Sequence, residues 1–271
     1  TKFWKKERPE IAMQFPYDRY ETLATPLTVY YPGSEAELAA WIVQTVDKAG
    51  KHLSQLLGIP MPALTLLLVD MADWALVPYS EEEEISTPHP YWTEATTPPT
   101  LVVPTEVDAL FGEVTPQKFA FMLYHELALA FLESDPRPWP ADNPLWADEW
   151  QFKFAALWLA QSLDGLQGVV NTDVLPQFPD LLEPEPDGKT PVTIRGFDWY
   201  EDTTSEDYLR YDMLLEQFAA DLLAHYDATI LPRFLSLYRV DRDLLSDDVT
   251  EMLGTVLGPG GTEWLEALVY F

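Results

Sequence analysis

The segment FMLYHELALAFLE, residues 121–133, decides the fold because it sets two polar side chains inside an apolar helix. Thr115 and Pro116 supply an N-cap and a first-turn proline, so the helix is predicted to begin there. Apolar residues cover every face, and we expect the helix to be largely enclosed. His125 and Glu126 lie in its middle. A buried carboxylate without a partner is strongly unfavourable, so the sequence predicts a buried partner for these two residues.

A second apolar helix, predicted over Leu145–Leu163, carries Asp148 and Glu149 near its start. Four aromatic residues recur at helical spacing and are expected in the core: Trp146, Trp150, Phe154 and Trp158. The connector Asp135–Asn143 has nine residues and is short enough to pack the two helices together. Glu149 is therefore a candidate partner of His125.

Two short motifs resemble those of the gluzincin zinc metallopeptidases. HELA, residues 125–128, resembles the start of their H-E-x-x-H motif, and WADE, residues 146–149, resembles the W-x-x-E that follows it. Nineteen residues separate Leu129 from Glu149, within the usual range of that family. The segment SEDYLRYDMLLEQFAADLLAHY, residues 205–226, is similar to the later helix of peptidase MA-like domains.

The resemblance implies a role for each matching residue. His125 and Glu149 correspond to metal ligands, and Glu126 corresponds to a catalytic residue. In the family a tyrosine or histidine of a later helix steadies the transition state; Tyr208 is the best match by order, and Tyr211 is next. The alternative for both tyrosines is that they only pack against neighbouring helices, as aromatic residues of helices usually do. Glu126 and Tyr208 are vestigial unless the site is active.

Leu129 stands where the second histidine of H-E-x-x-H belongs, and its side chain has no metal donor. Catalytic zinc sites normally use three protein ligands and a water molecule, so His125 and Glu149 alone would hold zinc poorly. The sequence therefore predicts a catalytically inactive or strongly impaired metallopeptidase-like protein with no cofactor. In that case His125 could hydrogen-bond Glu149 directly. We expect it to bind an extended peptide or a protein through the former peptidase cleft.

The alternative is an active metal-dependent peptidase or other hydrolase that holds zinc with a non-standard third ligand. His89, on a loop that could fold over the cleft, or a carboxylate is the candidate, although no spacing argument favours His52, His89 or His225. If the motifs are coincidental and the fold is unrelated, His125 and Glu149 should point apart.

The composition restricts the partners. The 271 residues carry 45 Asp and Glu against 16 Lys and Arg, a net charge of −29, which repels nucleic acids and anionic lipids. The same charge favours a monomer and a neutral or basic ligand. Cysteine is absent, which excludes thiolate ligands, and no apolar run is long enough to span a membrane. Since peptidase MA-like domains are often exported, the resemblance favours an extracytoplasmic or membrane-anchored location.

The order of predicted elements indicates an α+β fold. Strands are predicted within residues 26–32, 65–69 and 101–103, and helices dominate the second half. The resemblance implies a zincin-like (gluzincin) fold with a small N-terminal mixed sheet, a helical C-terminal half and an active-site-like cleft between them. The corresponding subdomains are residues 1–141 and 142–271. The resemblance also implies that LVV, residues 101–103, lies at the substrate-binding edge. Residues 192–194 are expected to form a short strand. The long connector 165–204 either covers the cleft as a lid or is an insertion without a role at the cleft.

Overall fold

The structure, a computed structural model, describes residues 15–79, 87–107, 112–179, 181–182, 192–199 and 203–271. The strands are β1 (Glu21–Leu23), β2 (Thr28–Tyr31), β3 (Thr65–Val69), β4 (Tyr91–Thr93) and β5 (Thr100–Pro104). The helices are α1 (Ala36–Leu57), α2 (Pro116–Glu133), α3 (Leu145–Asp164), α4 (Ser205–His225), α5 (Ile230–Tyr238), α6 (Ser246–Leu257) and α7 (Gly261–Glu266). Strands come first and helices follow, which agrees with the predicted α+β class.

The five strands form one mixed sheet in the order β1-β2-β3-β5-β4. β2, β3 and β5 run parallel, and β1 and β4 pair antiparallel at the two edges. Every residue of β3 and β5 is buried. This explains why both sequences are continuous apolar runs rather than alternating ones.

Two expectations about the sheet are corrected. The LVV strand belongs to β5 and lies between β3 and β4, not at an edge, because its apolar side chains are buried on both faces of the sheet. The edge next to it is formed by β4, where no strand was predicted. β1 likewise falls within the first 25 residues, where no strand was predicted, because its three residues are all exposed and carry no apolar pattern.

The chain separates into two compact units. The first comprises the residues up to Val43 together with Leu64–Val107 and holds the sheet; the second comprises Gln44–Ala63 and the residues from 108 onward. This division differs from the boundary expected between residues 141 and 142. α2 and α3, which flank that boundary, belong to the same unit because their apolar faces pack against each other.

The helical unit is built around α3, which packs against both α2 and α4. Trp146, Trp150 and Phe154 are fully buried, as predicted, and the Trp150 ring meets Phe234 edge-on with centroids 4.9 Å apart. Trp158 is only partly buried. The Trp150 ring also meets Phe218 of α4 at 6.3 Å, so aromatic packing fixes α3 relative to α4 and α5.

The ends of these helices follow the local sequence. The Thr115 side chain accepts a hydrogen bond from the Lys118 amide at 3.2 Å, and Pro116 opens α2 as predicted. α3 stops at Gly165, whose φ of 70° suits a glycine. Thr204 and Asp207 form a capping box at the start of α4.

Part of the connector between α3 and α4 lies outside the described residues, namely 180, 183–191 and 200–202. The strand expected at residues 192–194 is not formed in the remainder. Instead, the Ile194 and Arg195 amides donate to the carbonyls of Tyr270 and Phe271 at 2.9 and 3.2 Å. Within the described part of the chain, no helix has the length and apolar character needed to cross a membrane.

Candidate functional site

α2 holds His125 and Glu126 side by side. Nδ1 of His125 lies 3.0 Å from Oε1 of Glu126, and the two side chains are 23% and 15% exposed. Nε2 of His125 is buried and has no hydrogen-bond partner among the described residues. The ring of Phe152 meets the imidazole edge-on at 5.9 Å. The histidine is thus held at one nitrogen, and the described residues supply no hydrogen-bond partner for the other.

Glu149 lies on α3, and its partly buried carboxylate makes no hydrogen bond with the residues that the structure describes. The direct bond to His125, expected for a metal-free site, is therefore not formed. The two residues interact through charge instead. Burial raises the pKa of Glu149, whereas the charges of His125 and Lys153 act to lower it.

Leu129 and Glu149 line the same cavity, which has a volume of about 310 Å³. Leu129 holds the position of the second histidine, and helical spacing brings it to the cavity that Glu149 also lines. The aliphatic side chain of Leu129 lines the space in which a third metal ligand would be required. The other lining residues are Glu133, Trp139, Asn143, Leu145, Asp148 and Phe152.

Two carboxylates of this cavity already have partners. Asp148 accepts hydrogen bonds from the Tyr238 hydroxyl at 2.6 Å and from the Asn143 amide at 2.8 Å. Burial nevertheless raises the pKa of Asp148. Glu133 accepts a hydrogen bond from the indole of Trp139 at 3.1 Å.

Lys153 is a buried residue of this region that was not predicted. Its Nζ lies 2.7 Å from Oδ1 of Asp212 on α4, with 9% and 11% of the two side chains exposed. Burial alone lowers the pKa of Lys153, but the carboxylates of Asp212 and Glu216 raise it above its ordinary value. The signal in the sequence was a single lysine in an apolar helix, four residues after Glu149.

Tyr208 and Tyr211 come from α4. Burial and the neighbouring charges of Asp212 and Glu149 raise the pKa of Tyr208, and burial followed by the charge of Glu149 does the same for Tyr211. Tyr211 is 1% exposed, and its hydroxyl has no partner in the described part of the chain. The charge of Glu149 therefore acts on both tyrosines; Tyr211 is packed in the core, whereas Tyr208 is partly buried.

One described stretch of the connector packs on these tyrosines. Phe197 stacks on Tyr211 with ring centroids 4.1 Å apart, and Trp199 stacks on Tyr208 at 5.0 Å. Trp199 itself is 56% exposed. Phe197 and Trp199 therefore pack over the two tyrosines of α4.

Each of the remaining three histidines lies within hydrogen-bond distance of a backbone carbonyl two or four residues earlier in the chain. Nδ1 of His52, His89 and His225 lies 3.0, 2.8 and 2.8 Å from the carbonyls of Lys48, Thr87 and Asp221, respectively. Among the described residues, no group of three or more His, Asp or Glu side chains is arranged to hold a metal ion.

A catalytic zinc site normally has three protein donors and a water molecule. His125 and Glu149 are suitable donors, and the buried, unpartnered Nε2 of His125 is the atom that a metal would use. The third position carries Leu129, and the ammonium of Lys153 contributes positive charge to the same cluster. A donor set one short of three, next to a fixed cation, does not fit a catalytic zinc ion.

Comparisons with known proteins bear on the fold. No protein-family model matches the chain, and no curated protein matches it either. A similar solved structure is that of native yeast LTA4 hydrolase, with a TM-score of 0.52 and 13% sequence identity, over 92% of this chain and 38% of that one. The chain thus spans less than half of the hydrolase it resembles. At this identity the likeness concerns the fold alone: the chain has a fold similar to that of the matching part of the hydrolase.

Proposed function

We propose that this protein is a catalytically impaired, metallopeptidase-like protein that binds a peptide or protein segment in the cavity beside Leu129. The observation that carries the proposal is the position of Leu129, which lines the cavity together with Glu149 where a third metal donor would be needed. The general base of such a site, Glu126, then has no metal-bound water to act on.

The chemistry of the cavity favours a cationic group on the ligand. Three of its eight lining residues are carboxylates, and Trp139 and Phe152 supply aromatic surface. Glu149 is the one whose carboxylate makes no hydrogen bond with a described residue, so it is the natural acceptor for one lysine or arginine side chain. The three lining carboxylates outnumber the single ammonium of Lys153, which opposes the double charge of a metal ion more strongly than the single charge of such a side chain. The guanidinium of Arg239 lies 3.2 Å from the Trp139 ring centroid and offsets part of this negative charge. A volume of about 310 Å³ suits one side chain rather than a large ligand.

A second candidate function is a hydrolase with a non-standard metal site. The buried and unpartnered Nε2 of His125 favours it, because an unoccupied imidazole nitrogen is a metal donor. This function requires a third donor that replaces Leu129.

Metal analysis of the purified protein separates the two candidates. We expect no stoichiometric zinc and no hydrolysis of casein or of short peptides, before or after addition of zinc. One zinc ion per chain that disappears in His125→Ala, together with metal-dependent hydrolysis, would establish the second candidate instead.

Binding is tested with fluorescent peptides that differ only in arginine against the isosteric, neutral citrulline. We expect the arginine peptide to bind at least about tenfold more tightly, as for hydrogen bonds to charged groups, and Glu149→Gln to remove most of this difference. Glu263→Gln, an exposed residue on α7, makes the same change of charge and should leave the preference unchanged. Equal affinity for both peptides contradicts the cationic ligand.

A further inference from the structure

The helical unit buries several acidic side chains. Asp212 and Glu216 of α4 are 7% and 1% exposed, and Glu126 of α2 and Glu149 of α3 are partly buried. A buried carboxylate in such a cluster needs a cation or several hydrogen-bond donors.

Glu216 is satisfied by donors. It accepts hydrogen bonds from the backbone amides of Val170 and Asn171 and from the Asn171 side chain. Asp212 differs, because its partner in the described structure is the ammonium of Lys153. The positive charge of Lys153 is therefore the element that makes this acid tolerable in the core.

The position of Lys153 on α3 connects it with the former metal site. Residues four apart lie on the same face of a helix, so Lys153 stands one turn beyond Glu149 on its face. The ammonium also lies 5.6 Å from the ring centroid of Phe121, which belongs to the same helix as His125. The cation is thus enclosed by the three helices that carry His125, Glu149 and Tyr208.

We propose that Lys153 supplies, as a covalently attached ammonium, the positive charge that a metal ion supplies in a metal-dependent peptidase, and that it opposes metal binding at Glu149. This inference rests on the proposed function and adds a second barrier to it. Leu129 removes a donor, and Lys153 fills the electrostatic role of the ion. Restoring the donor alone therefore leaves a site in which a divalent cation meets a fixed like charge.

The test restores the second histidine and then removes the charge. Zinc affinity is measured by competition with a chromogenic chelator for Leu129→His alone, and for Leu129→His combined with Lys153→Met. We expect the double variant to bind zinc at least about tenfold more tightly than the single one, the effect of a few Å of separation between like charges in a partly buried site. Equal affinities would overturn the inference.

Lys118 provides a matched control. It is a buried lysine on α2, with 5% of its side chain exposed, and it pairs with Asp173 at 2.6 Å. Leu129→His combined with Lys118→Met should bind zinc like Leu129→His alone. A tightening as large as that of Lys153→Met would mean that loss of any buried lysine has this effect, and it would overturn the specific role of Lys153.

Lys153→Met can also unfold the protein, because it leaves Asp212 unpaired. Two further variants on the Leu129→His background keep the inference testable, and circular dichroism checks the fold of each. Lys153→Met with Asp212→Asn removes both charges and should retain the tighter zinc binding. Lys153→Arg keeps the charge and should retain the weak binding; tight binding by this variant counts against the inference.

The outcomes separate this inference from the proposed function. Stoichiometric zinc in the wild-type protein would refute the impaired site whatever Lys153 does. A second outcome is a metal-free wild type in which Leu129→His binds zinc equally tightly with and without Lys153→Met. It would refute the role of Lys153 and leave the proposed function standing.

Discussion

Two buried lysines of the helical unit form ion pairs of nearly equal length but differ in their surroundings. Lys153 lies 2.7 Å from Asp212, and both side chains are nearly inaccessible, with 9% and 11% exposed. Lys118 lies 2.6 Å from Asp173, whose side chain is 43% exposed. Water can solvate Asp173 if its partner is lost, but not Asp212. The comparison teaches that the burial of the acid, rather than the bond length, decides what a buried lysine is worth.

The largest difference between the pairs is expected in stability. Lys153→Met leaves a carboxylate in the core and should lower the free energy of unfolding by about 3–5 kcal/mol, the usual cost of breaking a buried pair. Lys118→Met should cost clearly less, since Asp173 reaches solvent. Urea denaturation followed by tryptophan fluorescence measures both. Equal losses would show that the exposure of the acid does not matter.

Removing both charges sharpens the same point. Lys153→Met combined with Asp212→Leu replaces the pair with apolar groups, and we expect it to recover most of the stability lost in Lys153→Met. The measurement is the same urea titration, arranged as a double-mutant cycle. A double variant as unstable as the single one would mean that the ammonium supports more than Asp212, for example the carboxylate of Glu149.

The pairs should also respond to opposite ends of the pH range. The pKa of Lys153 is raised above its ordinary value of about 10.4, so its contribution is complete below that pH and is lost as the pH rises through the folded-state pKa. The Lys118 ammonium lowers the pKa of Asp173, whose contribution is present above about pH 4 and is lost as the pH falls through its folded-state pKa.

Urea midpoints across the pH range measure these contributions. Wild-type stability should fall more steeply above about pH 10 than that of Lys153→Met, and more steeply below about pH 4 than that of Asp173→Asn. Parallel curves for wild type and variant at either end would contradict the assignment of the corresponding pair.

The smallest effect on stability is expected at Tyr211. Burial and the charges of neighbours that include Asp212 raise its pKa, but its hydroxyl makes no hydrogen bond to Lys153 or Asp212. Its buried hydroxyl has no partner in the described structure, so Tyr211→Phe removes a group that contributes no hydrogen bond. We expect the free energy of unfolding to change by less than about 1 kcal/mol. A loss above about 2 kcal/mol would show that the hydroxyl is bonded, for example through a water molecule to Glu149.

The helices of the site could be predicted because their signals are local. Thr115 and Pro116 mark the start of α2, and Gly165 ends α3 with a positive φ. The two strands β1 and β4 could not be predicted in the same way. β1 has three exposed residues, and β4 is held by pairing with β5, which depends on a partner nearly ten residues away along the chain.

The sequence predicts residues for the candidate site but not the contacts that they make. The spacing placed Leu129 one turn after His125, and both Leu129 and Glu149 line one cavity. The expected hydrogen bond from His125 to Glu149 is replaced by one to Glu126, its neighbour in the chain. The role of Lys153 was not predicted because its partner, Asp212, lies in α4, 59 residues later in the sequence.

The amino-acid sequence by itself determined that an imidazole, two carboxylates and a leucine stand at fixed positions of two apolar helices, because helical periodicity is a local property of the chain. Only the tertiary structure decided which charges meet. Packing of α4 on α3 brings Asp212 within 2.7 Å of Lys153. The energy of a buried charge depends on its neighbours in space and on the water they exclude, and the linear order of residues specifies neither.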